Sequence, residues 1–214
     1  MVRRTKSEAL ETRARILDAA EQVFLRKGVL SASLNDIASE AGVTRGAIYW
    51  HFKNKHDVFM AMVERGRLPF DMVSEKAEDP REPDPLGKLS EFMVFILRRV
   101  VSDPAQQRLV EIMFHKCEFS GDNHKLLLLQ RDKTRESCAR IGRMLGNAVK
   151  RGQLPSRLDV HRSAIWLHSQ LTGIIMHWLL ERDSVDLDRE APGIVATSLC
   201  CLQTSPYLLR PDTV

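Results

Sequence analysis

The segment from Ser33 to Lys55 constrains the fold of this chain more than any other, because it predicts two short helices joined by a tight turn. Ser33 and Asp36, three residues apart, form the pattern of a capping box at the start of the first helix. Apolar residues then follow at the i, i+3, i+4, i+7 spacing of one helical face: Leu34, Ile37, Ala38 and Ala41. We therefore predict a short amphipathic helix that begins after Ser33.

A glycine turn follows this helix. Gly42 tolerates the positive φ that ends a helix, and the Thr44 side chain is suited to cap a second helix that runs from Thr44 to about Trp50. Two short helices that cross through such a turn form the unit that lays its second helix in the major groove of DNA. The pattern therefore predicts a DNA-binding helix-turn-helix.

The same residues carry a family resemblance. The sequence from Thr44 to Lys55, TRGAIYWHFKNK, resembles the recognition helix and following turn of TetR-family repressors. Residues 3–6, 11–13 and 112–119 further resemble the AcrR and TtgR group, which represses drug-efflux operons. This resemblance implies an all-α fold in which an N-terminal three-helix helix-turn-helix DNA-binding domain is followed by a larger helical ligand-binding and dimerisation domain.

The apolar pattern along the chain agrees with nine or so helices and shows no strand. We place the DNA-binding domain at residues 1–56 and the ligand-binding and dimerisation domain at residues 57–214. A first helix from about Ser7 to Lys27 is expected to brace the helix-turn-helix. A fourth helix begins after Asn54, which can cap it, and Pro69 is expected to interrupt or kink it.

Proline marks the next boundary. Three prolines between Asp79 and Pro85 predict a loop. Five further helices are expected at roughly residues 86–102, 104–118, 123–151, 160–181 and 188–202.

The recognition helix offers candidate contacts to both bases and phosphates. Arg45 has a two-pronged donor suited to guanine, which makes it the best candidate for direct base recognition. Tyr49 offers a ring for a thymine methyl group or a sugar and a hydroxyl for a phosphate, and Gly46 permits close approach of the backbone. The remaining candidates are expected to bind phosphates: Ser33, Thr44, His51, Lys55 and Lys6. The resemblance implies the same use of Tyr49, His51 and Lys55.

Other residues of this region have structural interpretations. Ile48, Trp50 and Phe52 are expected in the core and Lys53 in solvent. Arg3 and Arg4 are compatible with an arm that orders on phosphate and equally with a disordered tail.

Apolar residues mixed with isolated polar ones predict a small-molecule pocket in the second domain. Relatives often have histidine in place of Phe114 and asparagine in place of Val110, so this chain is expected to bind a more apolar effector. The candidate ligand-binding residues are Phe92, Ile96, Val110, Phe114, Ile141, His168, Leu171, Thr172 and Met176.

The last two long helices carry more apolar surface than one chain is expected to cover. We predict that they form a four-helix bundle across the two-fold axis of a homodimer, with some of these side chains left in the internal core. The candidate interface residues are Ile174, Ile175, Trp178, Ile194, Leu199 and Leu202.

Charge and motifs narrow the functional class. Residues 1–55 hold 10 Lys and Arg against 6 Asp and Glu, so the whole net charge of +4 lies on the proposed DNA-binding segment.

We expect a bacterial cytoplasmic protein, because no apolar run follows the N-terminal charges and none reaches about 18 residues. The four cysteines show no paired framework, which fits reduced thiols. No nucleophile elbow, phosphate-binding loop or metal-binding pattern occurs, so neither catalysis nor a cofactor or metal is expected.

The hypothesis is a ligand-responsive repressor that binds a palindromic operator of double-stranded DNA. The operator is predicted to control a multidrug efflux operon, and a hydrophobic or aromatic inducer is predicted to release the repressor from it. One alternative is a TetR-type regulator of lipid or aromatic-compound metabolism. The other is an enzyme or carrier that keeps a vestigial helix-turn-helix.

Overall fold

The computed structural model describes residues 6–117 and 124–211, except for the side chains of residues 67–73, 76, 124 and 125. Over these ranges the chain is all-α, as predicted, and its two strand-like residues form only an isolated bridge between Leu158 and Leu209. The helices are α1 (Lys6–Lys27), α2 (Leu34–Ala41), α3 (Arg45–His51), α4 (Lys55–Glu78), α5 (Pro85–Ser102), α6 (Pro104–His115), α7 (His124–Lys150), α8 (Val160–Leu180) and α9 (Leu187–Thr204). No helix in the described ranges is long and apolar enough to cross a membrane.

The helix-turn-helix has the caps that its sequence predicts. The Ser33 hydroxyl accepts a hydrogen bond from the Asp36 amide at 3.1 Å, and the Asp36 carboxylate accepts one from the Ser33 amide at 3.0 Å, which completes the capping box. Gly42 ends α2 at φ 62°, in the left-handed region. The Thr44 hydroxyl accepts from the Ala47 amide at 3.2 Å and so starts α3.

Two prolines behave differently from the expectation. The sequence predicts that Pro69 interrupts or kinks α4. The interruption does not occur, because helical backbone continues to Glu78, and the kink stays a prediction. Asn54 caps the helix as expected, through the Asp57 amide at 3.0 Å. Pro85 does not belong to the predicted loop but starts α5, where its missing N–H costs no intrahelical hydrogen bond. The expected break at residues 120–123 and the arm with Arg3 and Arg4 lie outside the described residues.

The chain divides into two compact units. The N-terminal unit comprises Met1–Leu68 and Ala105–Leu128, so it contains the helix-turn-helix together with α6. The C-terminal unit comprises Pro69–Pro104 and Leu129–Val214. The domain bounds of 1–56 and 57–214 remain a prediction.

The core of the N-terminal unit brings α1 together with both helices of the helix-turn-helix and with α4. The Phe24 and Phe59 rings meet edge to face, with centroids 5.9 Å apart. The apolar stripes of α1 and α4 are buried, as are the inward residues of α2 and α3: Ile16, Ala19, Ala20, Val23, Phe24, Ile37, Ile48, Val58, Phe59, Met62 and Val63. These contacts fix the recognition helix on its support.

The core of the C-terminal unit is a helical bundle in which α5 packs against α8 and α9. Its completely buried side chains include Leu89, Leu97, Met144, Leu145, Leu167, Val195 and Leu202. The end of α4 is held by α7, because the Glu78 carboxylate pairs with Arg143 at 2.6 Å and with Arg140 at 3.2 Å. All four cysteines are free thiols, and burial raises the pKa of Cys117 to about 12.

Candidate nucleic-acid interface

The recognition helix α3 has one buried face and one exposed face. Ile48 is completely buried, and Phe52, which caps the helix C-terminus, is also buried. Because a helix turns by about 100° per residue, the residues between these two positions face away from the core. Tyr49 and Trp50 are accordingly exposed, and Arg45, the first residue of α3, is exposed as well.

Arg45 and Tyr49 hold each other on this exposed face. The Arg45 guanidinium lies 5.3 Å from the centroid of the Tyr49 ring and donates a hydrogen bond to the Tyr49 hydroxyl at 2.9 Å. This contact uses one donor of a guanidinium that has five. It also limits the rotamers of both side chains, so less conformational entropy is lost when they bind a partner. The pair therefore suits base recognition in the way the sequence predicts.

Trp50 corrects the sequence interpretation. The prediction that it lies in the core is wrong, since 72% of its surface is exposed. Its indole stacks edge to face on the His51 imidazole, with centroids 4.5 Å apart and planes at 89°. The signal was present in the sequence, because Ile48 and Phe52 at i and i+4 already define the buried stripe and leave Trp50 on the other side.

Two candidate phosphate contacts serve as caps. The hydroxyls of Ser33 and Thr44 accept hydrogen bonds from backbone amides at the N-termini of α2 and α3. Ser33 also donates to the Asp36 carboxylate at 2.8 Å. Hydrogen bonds from Lys27 and then from Ser33 lower the pKa of Asp36 to about 2, so this cap is ionised at neutral pH. Both candidates therefore lie at helix N-termini, where backbone amides favour anions.

Lys55, another candidate phosphate contact, is turned towards its own chain. Its ammonium donates hydrogen bonds to the carbonyls of Leu30 and Ala32, both at 2.7 Å, and burial lowers its pKa. These bonds fasten the first residue of α4 to the connection between α1 and α2. Lys55 thus has a positioning role that sequence reasoning missed, and phosphate binding through its third N–H remains a prediction.

Two arginines of α1 position the helix-turn-helix and had no signal in the sequence. The Arg15 guanidinium donates to the carbonyl of Ala41 at 2.7 Å, which is one of the carbonyls left unpaired at the end of α2. Arg13 lies over the Phe52 ring, 5.3 Å from its centroid. Both contacts join residues far apart in sequence, so only the folded chain reveals them.

The other candidate DNA contacts lie at the edges of this surface. Gly46 is exposed on α3, and a Cβ at this position would meet only the Thr44 hydroxyl, at 3.8 Å. His51 is half-buried beside Trp50. Lys6 is exposed at the first described position of α1.

The candidate ligand residues are divided between the two units. Val110 and Phe114 lie on α6 in the N-terminal unit, and the other seven lie on α5, α7 and α8 in the C-terminal unit. His168 is half-buried, and burial lowers its pKa, so the imidazole is neutral at pH 7. Of the remaining residues, four are buried and four are half-buried: Phe92, Val110, Ile141 and Leu171, then Ile96, Phe114, Thr172 and Met176. Their role in ligand binding stays a prediction.

The candidate interface residues separate into two sets. Ile175, Trp178 and Leu202 are buried within the single chain, and Leu202 has no exposed surface at all, so these three contribute to the internal core. Ile174, Ile194 and Leu199 remain partly exposed. The outward faces of the same helices carry residues that the sequence analysis did not select: Ile165, Ser169, Gly173 and Leu180 on α8, and Gly193, Ala196, Thr197 and Cys200 on α9.

The described residues contain no group of three His, Cys, Asp or Glu side chains arranged to hold a metal ion.

Comparison with known proteins places this geometry among bacterial regulators. Residues 16–62 match the family described as bacterial regulatory proteins, tetR family, and residues 84–204 match the C-terminal region of MAATS-type transcriptional repressors. The transcriptional regulator TtgR of Pseudomonas putida is 42% identical over 210 residues, which cover 98% of this chain and 100% of TtgR.

Two solved structures have the same fold. MexZ, a repressor responsible for antibiotic resistance in Pseudomonas aeruginosa, is 38% identical, with a TM-score of 0.78 over 94% of this chain and 99% of MexZ. The complex of SmeT with triclosan is 32% identical, with a TM-score of 0.84 over 95% of this chain and 97% of SmeT. SmeT represses a multidrug efflux pump of Stenotrophomonas maltophilia.

We expect Lys55→Met to lower the free energy of unfolding by about 1–3 kcal/mol, because two carbonyls lose their charged donor while the aliphatic chain is kept. Lys53→Met is the matched control, since the Lys53 side chain is exposed two residues away. Urea unfolding followed by circular dichroism measures both variants. Equal stability of Lys55→Met and the wild type would show that the two hydrogen bonds are not structural.

Proposed function

Because the chain belongs to the TetR family of bacterial regulatory proteins, we propose that it represses transcription by binding a palindromic operator and that a hydrophobic small molecule releases it. The observation that carries the proposal is the exposed face of α3, where Arg45, Tyr49 and Trp50 project from a helix anchored by Ile48 and Phe52. Action on chromosomal DNA implies a place in the bacterial cytoplasm.

The regulated genes are proposed to encode a multidrug efflux pump. This assignment is supported by the relatives that share more than 30% of the sequence over nearly the whole chain, since SmeT represses such a pump and MexZ is responsible for antibiotic resistance. It is favoured over the alternative of lipid or aromatic-compound metabolism. An enzyme or carrier with a vestigial helix-turn-helix has no support among these relatives.

The effector is proposed to be an apolar or aromatic compound with one weakly polar end. Support comes from the apolar character of the candidate set, in which Val110 and Phe114 add no charge, and from the neutral His168, which can donate or accept one hydrogen bond. SmeT forms a complex with triclosan, a compound of this class.

The functional form is proposed to be a homodimer that pairs the outward faces of α8 and α9. Ile165 and Leu180 are 45% and 74% exposed in the single chain, and a partner helix on this face would remove their apolar surface from water. Small residues along α9, namely Gly193, Ala196 and Thr197, permit close approach of a second helix. A two-fold axis would present two copies of α3 to half-sites about 34 Å apart.

We expect Arg45→Ala to relax discrimination at one base pair of each half-site by about 1–3 kcal/mol, because the guanidinium is the best-placed donor for a guanine edge. Fluorescence anisotropy with labelled DNA from directly upstream of the gene, and with single-base variants of its palindrome, measures this loss.

Lys53→Ala is the control for Arg45→Ala, since it removes the same charge from an exposed position nearby. It should weaken binding to every sequence by a similar small factor. If Arg45→Ala also weakens all sequences uniformly, Arg45 binds phosphate and does not read a base.

We expect Ala196→Glu to give a folded monomer, because this position is exposed in the single chain and the new carboxylate would be buried against a partner helix. Sedimentation should then report a mass near 24.4 kDa. Ala139→Glu, the same change at an exposed position of α7, should remain dimeric. A dimer of undiminished affinity in Ala196→Glu would require another interface.

We expect triclosan to bind the protein alone more tightly than the protein–operator complex, by a factor of about 5 to 150, because release from DNA requires the two ligands to select different arrangements. Calorimetric titration with and without saturating operator measures the factor. Equal affinities in the two titrations would mean that triclosan binding does not regulate DNA binding.

A further inference from the structure

A buried carboxylate of α1 joins three helices of the N-terminal unit. Glu21 is 4% exposed, and its two oxygens pair with arginines of different helices: Oε1 with Arg65 of α4, and Oε2 with Arg108 of α6 at 3.4 Å. Arg65 also pairs with Asp18 at 2.7 Å. We call these four residues the Glu21 junction. Burial of a carboxylate is costly unless it is paired, so the junction holds α4 and α6 against α1 only while the pairs persist.

Two further contacts bring α6 close to this part of the chain. The carbonyl of Lys116, directly after α6, accepts a hydrogen bond from the Val29 amide at 2.9 Å, beside the end of α1. At the other side, a Cβ on Gly66 of α4 would overlap the Leu109 side chain of α6. A shift of α6 would therefore displace the residues of α1 and α4 that it contacts, because close-packed helices are not compressible.

The two arginines of the junction are held unequally. Arg65 contacts two carboxylates, whereas Arg108 has a single longer contact and a buried Nε without a hydrogen-bond partner among the described residues. An arginine held in this way can change partners at lower cost than one held by two carboxylates. The Arg108 contact with Glu21 is thus the weaker link of the junction.

Arg108 borders a polar cavity of about 300 Å³ that leads to the helix-turn-helix. The cavity walls include the carboxylates of Asp18 and Glu40 and the guanidinium of Arg15. Arg15 holds the Ala41 carbonyl at the turn before the recognition helix. The cavity therefore gives the Arg108 side chain room beside the residues that position α3. Its two carboxylates, Asp18 and Glu40, are themselves paired with Arg65 and Arg26, so Arg108 would share them.

We propose that the contact between Glu21 and Arg108 is a latch that couples the position of α6 to the helix-turn-helix. Operator binding keeps the latch closed, and displacement of α6, which carries the candidate ligand residues Val110 and Phe114, opens it towards the cavity. This inference rests on the proposed function, because it assigns a route for the regulation of DNA binding. It makes Glu21 and Arg108 positioning residues that contact neither DNA nor effector.

Hydrogen–deuterium exchange of the full-length protein tests the latch with operator DNA as the only ligand. In the wild type, saturating operator should slow exchange of the amides of residues 105–116 by about 5-fold or more, since coupling between sites is reciprocal. Glu21→Gln and Arg108→Met should each lose this slowing while still bound to operator at saturation. The two variants change the net charge in opposite directions, so a shared effect cannot come from long-range electrostatics.

Arg81→Met is the matched control, because Arg81 forms an exposed ion pair with Asp79 at 2.8 Å in the C-terminal unit. It should keep the operator-induced slowing. In this slowing, the double variant Glu21→Gln with Arg108→Met should behave like Glu21→Gln alone, because Glu21→Gln already removes the ion pair with Arg108 together with the one with Arg65. Arg108→Met also keeps the test decisive if Glu21→Gln fails to fold, since the Arg108 side chain is 30% exposed.

The outcomes separate this inference from the proposed function. Slowing that persists in the variants, or that is absent from an operator-bound wild type, would overturn the latch and leave repression intact. A wild type that binds no DNA in the same samples would overturn the proposed function, and the latch with it.

Discussion

The anchoring of a seven-residue helix by Ile48 and Phe52 is the constraint on which the rest of the N-terminal unit depends. Isolated helices shorter than about 12 residues are marginal in water, so α3 exists because its inner face is packed and its ends are capped. That packing also decides which side chains face outward. A change in the core contacts of Ile48 or Phe52 would move Arg45, Tyr49 and Trp50 together.

Helix α1 acts as the support for this arrangement, and its polar side chains matter as much as its apolar stripe. Arg15 donates a hydrogen bond to the carbonyl of Ala41, and Arg13 lies over the Phe52 ring. Glu21 forms ion pairs with one arginine of α4 and one of α6. All of these residues lie on α1. The helix-turn-helix, α4 and α6 therefore each contact the same helix. This is a physical basis for joining DNA recognition to events on α6.

In the C-terminal unit, α8 and α9 each have one face that packs in the core of the chain and one outward face that is proposed to bind a second copy. Ile175, Trp178 and Leu202 are buried in the core of this unit, while Ile165 and Leu180 lie exposed on the outward face of α8. Apolar periodicity alone does not distinguish these two faces, because both are apolar. Burial within one chain makes the distinction, and it moves the proposed interface by part of a helical turn.

The helical class, the caps at Ser33, Gly42 and Thr44 and the outward position of Arg45 and Tyr49 could be predicted from the sequence, because they depend on spacing over a few residues. Tertiary structure alone decided the inward turn of Lys55 and the sharing of Glu21 between Arg65 and Arg108, because each joins positions 23 or more residues apart. Continuation of α4 through Pro69 was likewise settled only by the folded chain, since local propensity favours a break there. Interactions between residues close in sequence specify the helices and where they end, whereas contacts between distant residues decide which side chains of each helix are buried and which partners they have.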